Sequence, residues 1–419
     1  MRQEPGQHGL VQRAHQPGPL RVRLRPYVLE QRLISGASIA GTSLAYWLRR
    51  HGFTVTVVER APAVREGGYK VDIRGAALDV IGRMGLTGAV TARATDMRVA
   101  THYDRKGRPL ATMDADLFGG RTGDDVEIMR GDLNDLLYDL TRDDVEYLFG
   151  DSVTAIADDG RVTFEHAAPR RFDLVVGADG MRSNVRRIAF GEDAGFVRDL
   201  GYYISICTVP NTLGLDREEA VHASPGRTAN VYSTGRDGDA KALFMWASQP
   251  LAYDHRDVGH QKDLLTEAMS GAEWEVPALL GAVRGADDFY FDLVSQVHMD
   301  QWSKGRVVLV GDAAYCASPA SGQGTSLAIV GAYVLAGELA RRGGVAGYER
   351  EMREFVRVNQ ELGPANVKGM VIGSRLAIWI QMRMLKLLPY LPGKEKVVER
   401  VAGAIHRAAV AISLKNYME

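Results

Sequence analysis

An α/β fold, with a parallel sheet discontinuous in sequence, an inserted antiparallel sheet and C-terminal helices, is predicted by three observations. First, a glycine turn at 36–41 separates a short apolar run from a helical stretch, and a β-branched run ending at Glu59 follows. Second, two later apolar runs each deliver a Gly/Asp turn at their carboxyl end, where open α/β sheets place ligands. Third, aromatic strand-like runs interrupted by turn residues occupy the region between Leu200 and Leu293.

In chain order, Leu33-Ile34 is a short strand entering the turn Ser35-Gly36-Ala37-Ser38-Ile39-Ala40-Gly41. Leu44, Ala45, Trp47 and Leu48 mark a helix from Thr42 to His51, stopped by Gly52. Phe53 to Val58 is a buried parallel strand, completing a βαβ unit. Leu174-Val175-Val176 and Val307-Val308-Leu309-Val310 are further buried strands. Tyr202 to Cys207 and Ala242 to Trp246 belong to the antiparallel sheet, with Arg236-Asp237-Gly238-Asp239 as a turn. Phe244, Met245 and Trp246 fit either pocket lining or core packing. Apolar residues at helical spacing fill Ser326 to Arg342 and Tyr348 to the C-terminus.

The 419 residues, 46% hydrophobic and 25% charged, describe a globular protein of two domains or one core with a large insertion. With 51 Lys+Arg against 52 Asp+Glu there is no basic footprint for nucleic acid, so a small molecule is the expected partner. Cys207 and Cys316, far apart and without a CxxC, fit a reducing, cytoplasmic setting and no thiolate metal site. No HExxH or HxxH occurs among the ten histidines, so neither a metal site nor a side-chain nucleophile constellation is expected. Residues 1–30 are Arg-rich, acid-poor and interrupted by Pro5, Pro17, Pro19 and Pro26; they resemble a transit peptide in composition, but the prolines oppose its amphipathic helix, and a disordered extension is expected. The apolar stretch Met370 to Leu388 is broken by Arg375, Arg383 and Lys386, which argues against an integral membrane segment.

The turn at 36–41 matches G-x-G-x-x-G at Gly36 and Gly41 but carries Ser38 between them, which either stands off a pyrophosphate or turns its hydroxyl to it. Glu59, 23 residues beyond Gly36, is placed to accept both hydroxyls of an adenosine ribose. Gly311-Asp312 precedes Pro319, Gly322 and Gly324 and then a long apolar helix, a loop able to lay amides along a cofactor and aim a helix N-terminus at it.

These motifs, with Gly177-Ala178-Asp179-Gly180, Gly67 to Gly75 and Glu127 to Leu133, resemble the single-component FAD-dependent aromatic monooxygenases of the para-hydroxybenzoate hydroxylase fold, in particular the tetracycline-hydroxylase-like branch. The resemblance implies a Rossmann-like FAD-binding domain (31–75, 127–199 and 294–345), a substrate domain (76–126 and 200–293) and C-terminal helices (346–419). It implies that Gly36, Ser38 and Gly41 approach the FAD pyrophosphate, Glu59 the ribose, Arg130 the phosphate or ribityl region, and Asp312 the ribityl or pyrophosphate side. Asp72 would sit near the flavin, Asp179 and Gly180 in the turn shared by FAD and the nicotinamide cofactor, and Pro319, Gly322 and Gly324 along the isoalloxazine. Arg65 would contact the nicotinamide nucleotide phosphate; Arg65 and Arg130 also fit plain surface ion pairs. The activity implied is hydroxylation of an aromatic or polyketide-like molecule with NADPH or NADH and dioxygen through a C4a-hydroperoxyflavin, in a monomer or homodimer. A flavin reductase or dehydrogenase of the same fold, and a flavin-containing binding protein without turnover, are the alternatives. No W-x-W-x-x-P segment favours a halogenase.

Overall fold

The computed structural model describes residues 30–418 apart from 66, 237, 342 and 391–393, so the expected extension lies, but for Glu30, outside the described residues. Gln31–Ser35 pairs in parallel with Thr54–Glu59 on one side and Leu174–Gly177 on the other. Glu146–Phe149 and Val307–Leu309 extend the parallel set, and Ser303–Lys304 closes one edge antiparallel, giving six strands. Leu33, Ile34, Val57, Val175, Val176 and Val308 are fully buried, as strands covered on both faces require. The first strand is longer than its apolar run because Arg32, although charged, is buried with its guanidinium 4.8 Å from the Phe53 ring centroid. The helices Ile39–Arg50 and Gly324–Ala340 pack on each other over this sheet. Gly52, at φ +85°, follows the end of the helix Ile39–Arg50, as expected.

The second sheet has seven strands in the order Tyr290–Val297, Val197–Pro210, Asp239–Ala247, Arg227–Ser233, Glu218–Ser224, Val99–Tyr103 and Pro109–Asp114. It is antiparallel except where Glu218–Ser224 runs parallel to Val99–Tyr103. Strand alternation separates neighbours in sequence. Phe244 and Trp246 join the core that includes Leu265 and Leu279 of the helices Val258–Ala268 and Val276–Val283, whereas Met245 joins Ile204, Val367 and Val371 in another core. Phe244 and Trp246 are therefore core residues and not pocket lining.

The segment 76–126 divides between the two cores. Its strands join the seven-stranded sheet, but Ala77, Val80, Ile81 and Val90 of the helices Ala76–Arg83 and Thr87–Ala92 bury in the parallel-sheet core. A boundary at residue 75 thus does not coincide with the boundary of the cores. Gly344–Met370, Arg375–Leu387 and Lys394–Ala409 form the C-terminal helices.

Candidate active site

The cleft is built where the first strand ends. Gly36 has φ +109°, and a Cβ there would stand 2.5 Å from the Ala178 carbonyl oxygen; a Cβ on Gly41 would stand 1.9 Å from the Gly36 carbonyl oxygen. Both glycines therefore serve close approach of strand, helix and the 178–180 turn. Ser38 caps the helix Ile39–Arg50 without bonding its amides; its hydroxyl instead accepts from Arg130 Nη2 at 2.7 Å. Through that bond Ser38 brings a guanidinium to a helix N-terminus. The combination of helix dipole and cation is an anion cradle suited to a pyrophosphate.

Glu59 accepts from the amides of Ala37 and Ala61, each at 2.9 Å, which fixes its carboxylate beside the glycine turn. Arg65 is mostly exposed, with its guanidinium 3.7 Å from Glu59. It joins the Glu59 end of the cleft. Asp179 accepts from the Ser183 hydroxyl and from the Val185 amide at 3.0 Å, so its carboxylate shapes the turn into the helix Asn184–Phe190; burial raises its pKa. Gly180, at φ +79°, leaves open space where a Cβ would be.

Opposite the first helix lies Asp312. Its pKa is raised by burial, against the opposing effects of the Cys316 thiol and the Arg130 charge. A Cβ on Gly324 would lie 3.9 Å from its carboxylate. Pro319 and Gly322 are exposed on the loop that leads into the helix Gly324–Ala340, whose start faces the cleft. Asp72 is paired with Arg74 at 2.8 Å and Arg121 at 3.4 Å, while the Arg74 amide donates to Ser326 Oγ at 3.1 Å near the start of that helix. Backbone pairing of Lys70–Ile73 with Val126–Met129 carries Asp72 and Arg130 together. Lys70 lies between Glu219 and Glu127, with its ammonium 4.8 Å from the Tyr232 ring centroid, and fastens this small sheet to the seven-stranded one.

Four residues not expected from the sequence complete the cleft. Tyr69 and Tyr290 approach with ring centroids 6.2 Å apart. The Tyr290 hydroxyl donates to Asp292 Oδ2 at 3.2 Å, and Asp292, itself buried, is held by Arg182 and by the Leu293 amide at 2.7 Å. Burial and then the Asp292 charge push the Tyr290 phenol well above its ordinary range. A legible signal existed: an aspartate inside the apolar run Phe291 to Val294 is a buried charge that needs a partner. Its partner Arg182 is over a hundred residues away and carries no local mark.

The family model described as FAD binding domain matches residues 31–349. An uncharacterized protein of Mycobacterium tuberculosis is 48% identical over 347 residues, covering 80% of this chain and 93% of its own. A flavin-dependent monooxygenase from an unknown prokaryotic organism is 38% identical over 395 residues, covering 92% of this chain and 98% of its own. The crystal structure of tetracycline destructase Tet(55) superposes with a TM-score of 0.81 at 35% identity, covering 94% of this chain and 100% of that one.

Proposed function

This chain belongs to the FAD-dependent monooxygenases that carry the FAD binding domain, and from that premise we propose that it hydroxylates an aromatic or polyketide-like small molecule using NAD(P)H and dioxygen. As an oxidoreductase of that family it takes its redox chemistry from the cofactor, and bound FAD supplies the electron transfer and oxygen activation that side chains lack. The observation that carries the reading is the Arg130–Ser38 bond at the first helix N-terminus, which supports pyrophosphate binding there. Glu59 takes the adenosine ribose. Its neighbour Arg65, exposed beside it, supports a contact at that adenosine end in place of one to the nicotinamide nucleotide.

Asp312, with the amides of Gly322 and Gly324 and the edge of Pro319, orients the ribityl chain and ring, and the dipole of Gly324–Ala340 favours negative charge on the ring. Asp72 holds Arg74 and Arg121 near that end, and Asp179 with Gly180 shapes the turn that a nicotinamide nucleotide passes. Tyr69 and Tyr290 offer aromatic faces to a planar substrate, and Asp292 fixes the Tyr290 hydroxyl as an acceptor toward it. The pair also excludes water from the reacting carbon. Two free, buried cysteines support a cytoplasmic enzyme.

The test is product formed from a polycyclic phenol with NADPH under heavy-isotope dioxygen. One labelled oxygen per product is expected. Oxygen drawn only from water, or turnover unchanged without dioxygen, would replace this reading with the dehydrogenase; FAD retained with no ligand-stimulated NAD(P)H oxidation would replace it with a binding protein.

A further inference from the structure

Seven of the eleven exposed large apolar residues among those described lie between Met370 and Tyr390. Five of them, Leu376, Trp379, Ile380, Met384 and Leu387, are 44–67% exposed and share one face of the helix Arg375–Leu387. The inward face is opposite: Met382 is buried and Ile378, Gln381 and Leu385 are half-buried, where the helix meets Pro109–Asp114. The stripe is therefore turned outward, with Trp379 at its edge also lining the groove beside the helix. It is the same apolar stretch whose three cations argue against a membrane span, and among the described residues no helix is long and apolar enough to cross one.

Charge decides what would cover it. Between Glu361 and Glu395 the sequence contains no acidic residue, and Arg375, Arg383 and Lys386 are all exposed. The same three border an open groove of about 590 Å³ between the helix and the seven-stranded sheet. The acids on the groove's far wall are already compensated, Asp104 by Arg108 at 2.7 Å and Glu273 by Arg105 at 3.3 Å. Arg383 lies over the Trp379 ring at 5.3 Å, so a cation and an interfacial aromatic stand together. A second copy across a twofold axis would set these cations against themselves. A flat surface with an apolar interior and anionic headgroups satisfies both the stripe and the charge, since basic amphipathic helices with a tryptophan lie in such interfaces.

We propose that the Arg375–Leu387 helix seats this protein peripherally on an anionic lipid bilayer, with Leu376, Trp379, Ile380, Met384 and Leu387 entering the interface and Arg375, Arg383 and Lys386 meeting lipid phosphates. The holoprotein is sedimented with phosphatidylcholine vesicles with and without phosphatidylglycerol. Binding to the anionic vesicles alone, weakened by salt, is expected. Arg375→Gln and Lys386→Gln should each weaken it by about fivefold, and Leu376→Glu with Leu387→Glu by more than about tenfold, while FAD content stays unchanged. Brominated lipid should quench fluorescence in the wild type, and Trp379→Phe should remove most of that quenching, because Trp47, Trp246 and Trp302 are buried and Trp274 is half-buried, stacked on Tyr103. No binding to anionic vesicles, or binding untouched by the double variant, overturns the proposal. A double variant that changes from dimer to monomer assigns the face to a second copy and overturns it too. So does a wild type that ignores vesicles and a double variant that loses NADPH oxidation, which would put the stripe on the substrate path. Vesicle binding does not depend on the reaction, so its failure leaves the hydroxylase reading standing.

Discussion

Gly41→Ala places a methyl group 1.9 Å from the Gly36 carbonyl oxygen, a backbone atom with no rotamer to move into. Ordinary contact begins at 3.4 Å, so the helix Ile39–Arg50 must retreat from the first strand by about 1.5 Å. That helix is buried on both flanks of its first two turns, and overpacking a filled core costs up to about 3 kcal/mol. The same retreat pulls Ser38 away from Arg130, now 2.7 Å apart, and so opens the anion cradle. Chemical denaturation of the apoprotein reads the first effect and flavin fluorescence titration the second. Gly180→Ala is the control: its Cβ would enter open space, and only the positive φ of +79° opposes it, at about 1 kcal/mol. A Gly41→Ala protein within about 0.5 kcal/mol of wild type that binds FAD as tightly would refute the close-approach argument for this turn.

Arg130→Met should weaken FAD binding by roughly tenfold to a hundredfold, the value of a charge-assisted hydrogen bond of about 1.5–3 kcal/mol, and titration with unchanged affinity would remove Arg130 from the cradle. Apo Asp312→Asn should melt higher than apo wild type at neutral pH yet bind FAD more weakly. Burial raises the Asp312 pKa, so stability is full below the ordinary carboxylate range and is lost as pH rises through the raised value; an apo variant melting no higher at pH 7 contradicts this. His102, buried near the Phe118 ring at 5.9 Å, has its pKa lowered by burial to about 4. Its contribution is therefore intact above pH 6.5 and lost as pH falls toward 4, by at most about 3 kcal/mol, and His102→Leu should flatten that part of the stability profile; an unchanged slope between denaturant midpoints at pH 6.5 and 4.5 would exclude it.

Local chemistry determined much of this protein from sequence alone. Gly36 and Gly41 with a distal Glu59 specify a βαβ turn within thirty residues, because φ > 0, close approach and a strand-end carboxylate are local requirements. Apolar runs such as Leu174 to Val176 announce strands covered on both faces, and the Pro319 to Gly324 loop announces the start of a long helix. Whether Phe244 or Met245 faces the pocket could not be read, since both are apolar and only the packing of two helices on one sheet face separates them. The tertiary structure alone joins Arg130 to Ser38, Lys70 to Glu219 and Arg182 to Asp292. Each pair spans 92 or more residues, and a buried charge finds its partner by fold and not by spacing. The stripe on Arg375–Leu387 divides in the same way: its composition is plain in the sequence, but which side faces out was decided by Met382 packing inward.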